Sequence, residues 1–85
     1  MFIMSFFVYM ITARNKKKTI SYVGYTNNVQ KRIKLHNTSK GAKFTRGRKW
    51  KLIYLKKFHT KKEAMKEEYK FKKNYYLRKK IIKRV

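Results

Sequence analysis

Ser5-Phe6-Phe7-Val8-Tyr9-Met10-Ile11-Thr12 is an unbroken apolar, aromatic and β-branched run, and the fold turns on how it is read. A half-buried strand alternates polar and apolar residues, and this run does not. It therefore suggests a strand covered on both faces, although periodicity alone leaves a buried helix open. Arg14-Asn15-Lys16-Lys17-Lys18 follows as a charged turn. Thr19-Ile20-Ser21-Tyr22-Val23-Gly24-Tyr25 then alternates well enough to be the returning strand of a hairpin.

Working outward, Asn27 or Asn28 can cap a helix that runs to about Asn37. Its inner stripe reads Val29, Arg32, Ile33, His36, so two polar residues stand where a plain core helix would carry leucines. Residues 38–49 form a polar, basic loop with Gly41 and Gly47, and Trp50 to Leu55 makes a third strand. Thr60-Lys61-Lys62-Glu63 matches a capping box, in which the threonine accepts from the N3 amide and the glutamate reaches back. The helix it opens runs past Phe71, with Ala64, Glu68, Phe71 and Tyr75 on one face.

No repeat, glycine-serine linker or proline marks a boundary, so residues 1–74 read as one domain and 75–85 as a basic extension. That extension can continue the helix, form a short helix of its own, or order only on nucleic acid. The expected class is α+β, a three-stranded antiparallel sheet flanked by helices.

The chain has 26 Lys+Arg against 3 Asp+Glu, a net charge of +23. Such a surplus attracts polyanions from a distance, which makes nucleic acid the expected partner. An anionic membrane is the second reading; the strand pattern and the glycine-bearing loop argue against it. Apolar content of 42% and aromatic content of 16% exclude a purely disordered basic tail. Without cysteine there are no disulfides and no thiolate metal sites, and an intracellular, cytoplasmic setting is expected. Met1 to Ile11 is apolar but far short of the roughly 20 residues that span a bilayer. It also lacks a basic leader and a small-residue cleavage site, so it reads as a strand.

Cutting a phosphodiester requires charge stabilisation on the phosphate, an activated water and help for the leaving oxygen. With no aspartate and all three glutamates between residues 63 and 68, several carboxylates cannot converge from different elements. Glu63 is engaged by the helix cap and Glu67 points away from the Glu68 face. One Mg²⁺ or Mn²⁺ on Glu68 plus waters is acceptable coordination. The plainer reading of Glu68 is an i,i+4 pair with Lys72. For Arg32 it is a snorkelling arginine, for His36 a histidine held by a backbone carbonyl, and for Tyr9 and Tyr22 strand packing. A dense cationic field is expected to lower a phenol toward proton-transfer chemistry. Gly24, lacking a side chain, would let a backbone or substrate approach.

These residues in this order resemble the GIY-YIG nucleases, in the small single-domain form related to the catalytic domain of the bacterial excision-repair nuclease subunit. Phe7-Val8-Tyr9 resembles the first motif, with phenylalanine for its glycine, and Tyr22-Val23-Gly24 the second, with valine for isoleucine. Arg32 and His36 match the segment carrying the family's arginine and its His/Tyr position. Lys40-Gly41-Ala42-Lys43-Phe44-Thr45-Arg46-Gly47 is similar to its glycine-and-lysine stretch, and Glu63 to Glu68 to the helix bearing its metal-binding glutamate.

The resemblance implies that Tyr9 and Tyr22 orient or deprotonate the attacking water. It has Arg32 grip the phosphate, His36 support the tyrosine–water network, and Glu68 hold one metal ion. Gly24, Lys40, Lys43, Arg46 and Arg48 are expected to contact nucleic acid. The implied activity is a DNA endonuclease, with a role in repair, selective for structure or single strands or directed by a partner protein. The alternative is a non-catalytic nucleic-acid-binding module of the same fold.

Overall fold

The structure, a computed structural model, describes residues 5–38, 45 and 47–84. The order of elements is β1 (Phe6–Asn15), β2 (Lys18–Thr26), α1 (Val29–Asn37), β3 (Lys51–Phe58), α2 (Lys61–Lys73) and α3 (Tyr75–Lys83). The three strands form one sheet in the order β2-β1-β3, and β1 runs antiparallel to both neighbours. This is the expected α+β arrangement.

The unbroken apolar run is explained by that central position. Val8 and Met10 face one side and meet Val23 of β2 and Ala64 and Phe71 of α2. Tyr9, Ile11 and Ala13 face the other, where Trp50, Tyr22, Leu52 and Ile33 of α1 cover them. Both faces of β1 are thus out of water, and each fully buried side chain of this size contributes about 1.5–3 kcal/mol.

Several boundaries differ from the sequence reading. Pairing continues through Asn15 and Lys18, so the charged turn shrinks to Lys16 and Lys17. Lys16 has φ 59°, the positive value that a two-residue hairpin matched to the strand twist requires. β3 begins after Trp50 and extends to Phe58, and a register shift against β1 leaves Ile53 as the extra residue between Leu52 and Tyr54.

Thr60 caps α2 by accepting from the Glu63 amide at 3.1 Å. The Glu63 carboxylate accepts from the Thr60 hydroxyl at 3.0 Å, rather than from its backbone N–H. Tyr75 is not on the α2 face: α2 stops at Asn74, whose side chain accepts from the Leu77 amide and opens α3 as a separate helix. Ile81 and Ile82 pack that helix against the Val8–Phe71 cluster. Among the described residues no helix is long and apolar enough to cross a membrane.

A lysine at positive φ is strained, and glycine would relieve it at some entropic cost. Lys16→Gly is therefore expected to raise stability by about 0.5–1 kcal/mol, read as a higher urea midpoint. A lower midpoint would show that the turn is relaxed with lysine in place.

Candidate active site

At the end of the sheet where β1 begins and β2 finishes lies a pocket of about 520 Å³. Each structural layer supplies part of its lining. Tyr9 comes from β1, Tyr22 and Gly24 from β2, Arg32 from α1, and Lys61 and Glu68 from α2. Asn28 caps α1 by accepting from the Lys31 amide at 3.1 Å, and its carbonyl accepts from the Arg32 amide, so Arg32 sits in the first ordered turn. On α2, Ala64 and Phe71 are buried against the sheet, and this anchors the face on which Glu68 reaches the pocket.

Tyr9 and Gly24 are cross-strand partners. A methyl group built on Gly24 would stand 2.5 Å from the Tyr9 hydroxyl and 2.7 Å from the ring carbon bearing it. What approaches the bare backbone here is the Tyr9 phenol itself.

Behind the pocket, Tyr9 is hydrogen bonded to His36 Nε2 at 2.8 Å, and His36 Nδ1 to the Thr45 hydroxyl at 2.8 Å. All three residues are buried. The Tyr22 ring lies 5.1 Å from the imidazole. Burial first, and Arg32 second, hold His36 below its ordinary 6.5, so the imidazole is neutral at pH 7. A neutral imidazole donates from one nitrogen and accepts at the other. The chain can therefore run in two senses. Tyr9 donates to His36 and His36 to Thr45, or Thr45 donates to His36 and His36 to Tyr9, freeing the Tyr9 hydrogen for the pocket.

The expectation that surrounding cations lower the phenols is overturned for Tyr9. Burial and the neighbouring Tyr22 push it well above its ordinary 10, with a further push from Glu68, and Arg32 acts in the opposite direction without prevailing. Desolvation outweighs the cationic field because this phenol is inside the protein while most of the lysines are outside it. Tyr9 stays protonated.

Glu68 keeps 16% of its side chain exposed and pairs with Lys72 Nζ at 2.9 Å. The helix pair read from the spacing thus coexists with a pocket-lining carboxylate. Glu63 is in the cap and Glu67 faces Lys70 at 4.0 Å, so among the described residues no second carboxylate joins Glu68. That donor set fits Mg²⁺, which is commonly held by one or two carboxylates with waters and substrate phosphate oxygens completing its octahedron.

Arg48 is not brought to this pocket. It lines a cationic notch with Arg14, Lys16 and Lys49, at the hairpin tip on the far end of the sheet. Lys40, Lys43 and Arg46 lie outside the described residues.

Three residues gain roles that the sequence reading did not assign. Thr45 is bonded to His36 Nδ1 in the buried chain. Trp50 donates its indole N–H to the Thr45 carbonyl at 2.8 Å. The Asn37 side chain accepts from the Trp50 amide at 2.6 Å and donates to its carbonyl at 3.2 Å, tying the end of α1 to the start of β3. No periodic signal announces such contacts.

A model of the GIY-YIG catalytic domain matches residues 5–81. The chain belongs to the GIY-YIG family. This is a family of nuclease type, and Tyr9 and Tyr22, which the sequence resemblance matches to its two motifs, both line the pocket. A UPF0213 protein of Oceanobacillus iheyensis is 48% identical over 67 residues, covering 78% of this chain and 74% of that protein. One from Bacillus licheniformis is 50% identical over 70 residues, covering 81% and 69%. UPF0213 protein YazA of Bacillus subtilis is 55% identical over 53 residues, covering 61% and 54%. No solved structure matches the chain.

Gly24→Ala is expected to destabilise the protein by about 1–3 kcal/mol, the usual cost of forcing extra volume into a packed site. Denaturant unfolding measures the loss. A variant as stable as wild type would mean that the Tyr9 ring has room to move off Gly24.

Proposed function

We propose that this protein is a metal-dependent endonuclease that hydrolyses phosphodiester bonds in DNA and selects its substrate by structure or by single-strandedness. The observation that carries the reading is the convergence of Arg32 and Glu68, on two different helices, in the pocket that Tyr9 and Tyr22 also line. A helix glutamate serving only its own surface has no reason to share a cavity with an arginine of another helix and two phenols. A non-catalytic binding module would need the charge of the chain but not this meeting.

In this reading Arg32 grips the scissile phosphate through its planar fork, and Lys61 adds a second positive charge. Glu68 holds the Mg²⁺ or Mn²⁺ ion, which when bound supplies positive charge to the phosphoryl oxygens and acidifies water. The phenols divide their work. Tyr9, kept protonated by burial, orients the attacking water through its oxygen, and His36 sets the direction in which its hydrogen points. Tyr22, half-buried beside it, would act in its phenolate form, taking the water's proton and becoming the neutral phenol as the water oxygen bonds to phosphorus, while the leaving oxygen departs and is protonated from solvent. Charge at the reacting phosphate then rests on groups already in place, so little reorganisation accompanies the reaction.

Cleavage of labelled single-stranded, duplex, flap and branched DNA, with and without Mg²⁺, tests this directly. Glu68→Gln and Arg32→Ala are expected to lose about 10²–10³ in rate while binding falls little, because the other cations remain. Tyr22→Phe should fold and bind normally and lose about 10²–10⁴. Wild-type rates in the Glu68→Gln variant would remove Glu68 from the site, and no cleavage of any of these substrates by the wild type would leave the binding module as the function.

A further inference from the structure

A second groove, of about 340 Å³, runs between the outer edge of β2 and α3. Its α3 wall is built from Tyr75, Arg78, Lys79, Ile82 and Lys83, the spacing of a single helix face. An ordinary amphipathic helix would make that face apolar, whereas here an aromatic ring and an isoleucine alternate with three cations.

Arg78 is the decisive residue. Its Nε is buried and has no hydrogen-bond partner among the described residues. Its Nη1 reaches Ser21 Oγ of β2 only at 3.5 Å, the long limit of a hydrogen bond. A buried guanidinium nitrogen left unpaired is costly, and a carboxylate is its usual partner. Among the described residues no carboxylate lines this groove: Glu63 is in a cap, Glu67 faces Lys70, and Glu68 lines the first pocket. An anion from outside the chain would supply such a partner, and a phosphate suits the arginine fork.

The apolar part of the groove says what accompanies the phosphate. Tyr75 is 57% exposed and its neighbour Tyr76 is 84% exposed, so rings are available that the core does not use. An exposed aromatic face beside cations is the composition of a stacking platform for unpaired bases. A second copy of this chain, at +23, would be repelled. The notch of Arg14, Lys16 and Lys49 offers charge alone and would accept any polyanion.

We propose that the β2–α3 groove binds one nucleotide of a single strand, its base on Tyr75 and Ile82 and its phosphate on Arg78, a short distance along the strand from the bond that is cut. The proposal rests on the nuclease reading of the first pocket and adds a subsite to it. Both pockets lie along β2: Gly24 lines the first and Thr19 and Ser21 the second. Three to five strand residues separate them, about 10–17 Å, which corresponds to about three to five stacked nucleotides.

The test is binding of fluorescein-labelled oligothymidylates of increasing length, without Mg²⁺, to wild type, Tyr75→Ala, Arg78→Lys and Arg78→Ala. Wild-type affinity is expected to step upward once the strand reaches about three to five nucleotides. Tyr75→Ala should lower affinity for longer strands roughly ten-fold, leave shorter ones unaffected, and leave duplex binding unaffected because its bases are already stacked. Arg78→Lys should also lose the step, since it keeps the charge and loses the fork. Tyr75 is exposed, so its truncation spares the fold even if Arg78→Ala does not.

A photoreactive base at the far end of the longer strand should cross-link to Tyr75. The proposal is overturned if there is no length step, if Tyr75→Ala weakens duplex and single strand equally, or if the groove variants change only binding to anionic vesicles. Cleavage of the short strand reports on the first pocket alone. Absence of that cleavage by the wild type once Mg²⁺ is added, with the length step intact, would sink the nuclease reading and not the groove.

Discussion

The buried hydrogen-bond chain from Tyr9 through His36 to Thr45 is the constraint on which the rest of the molecule depends. It joins the central strand, the first helix and the connection that leads to β3. His36 is the one buried residue of helix α1, with Val29, Ile33 and Leu35 only half-buried and Asn37 tied to Trp50 at its end. An apolar helix would be fixed by area; this one is fixed by direction, because a neutral imidazole satisfies two partners only in one orientation. Gly24 follows from the same constraint, since the phenol reaches His36 across the space a side chain would fill. The Trp50 indole bonded to the Thr45 carbonyl and the Asn37 bridge to Trp50 hold the far end of the chain in place.

The sequence disclosed those parts of the fold that arise from local pattern. The doubly covered strand was legible because burial on both faces erases alternation, and the α2 start because Thr60 and Glu63 stand at capping distance. Glu68 stood out because so few acids exist to choose from. Thr45 was not legible: a threonine in a basic loop has no mark until the fold brings His36 to it. The direction of the Tyr9 shift was missed for a related reason. Charge can be counted along a chain, whereas desolvation depends on packing, and for a buried phenol desolvation prevails. The sharp turn at Lys16 and the break at Asn74 were also hidden, as neither carries the glycine or proline that announces such places.

The distribution of charge now has a shape. Cations are spread over most of the surface, while all three carboxylates lie on α2 and only Glu68 lines the pocket. A polyanion is thus attracted everywhere and meets a carboxylate beside an arginine in that one described cavity. The phenol held neutral behind it is a fixed dipole and not a charge, which suits a site where charge must develop on the substrate.

His36 is a neutral link in a buried network. Because its folded value lies below 6.5, the unfolded chain takes up the proton first as pH falls. The stability the network supplies is complete above pH 6.5 and is lost as pH drops through the folded value. Nitrogen-15 NMR of the His36 imidazole across this range is the direct measurement. One protonated and one unprotonated nitrogen should persist below pH 6.5, with the midpoint shifted to the acid side. A midpoint at or above 6.5, with both nitrogens protonated there, would contradict the account.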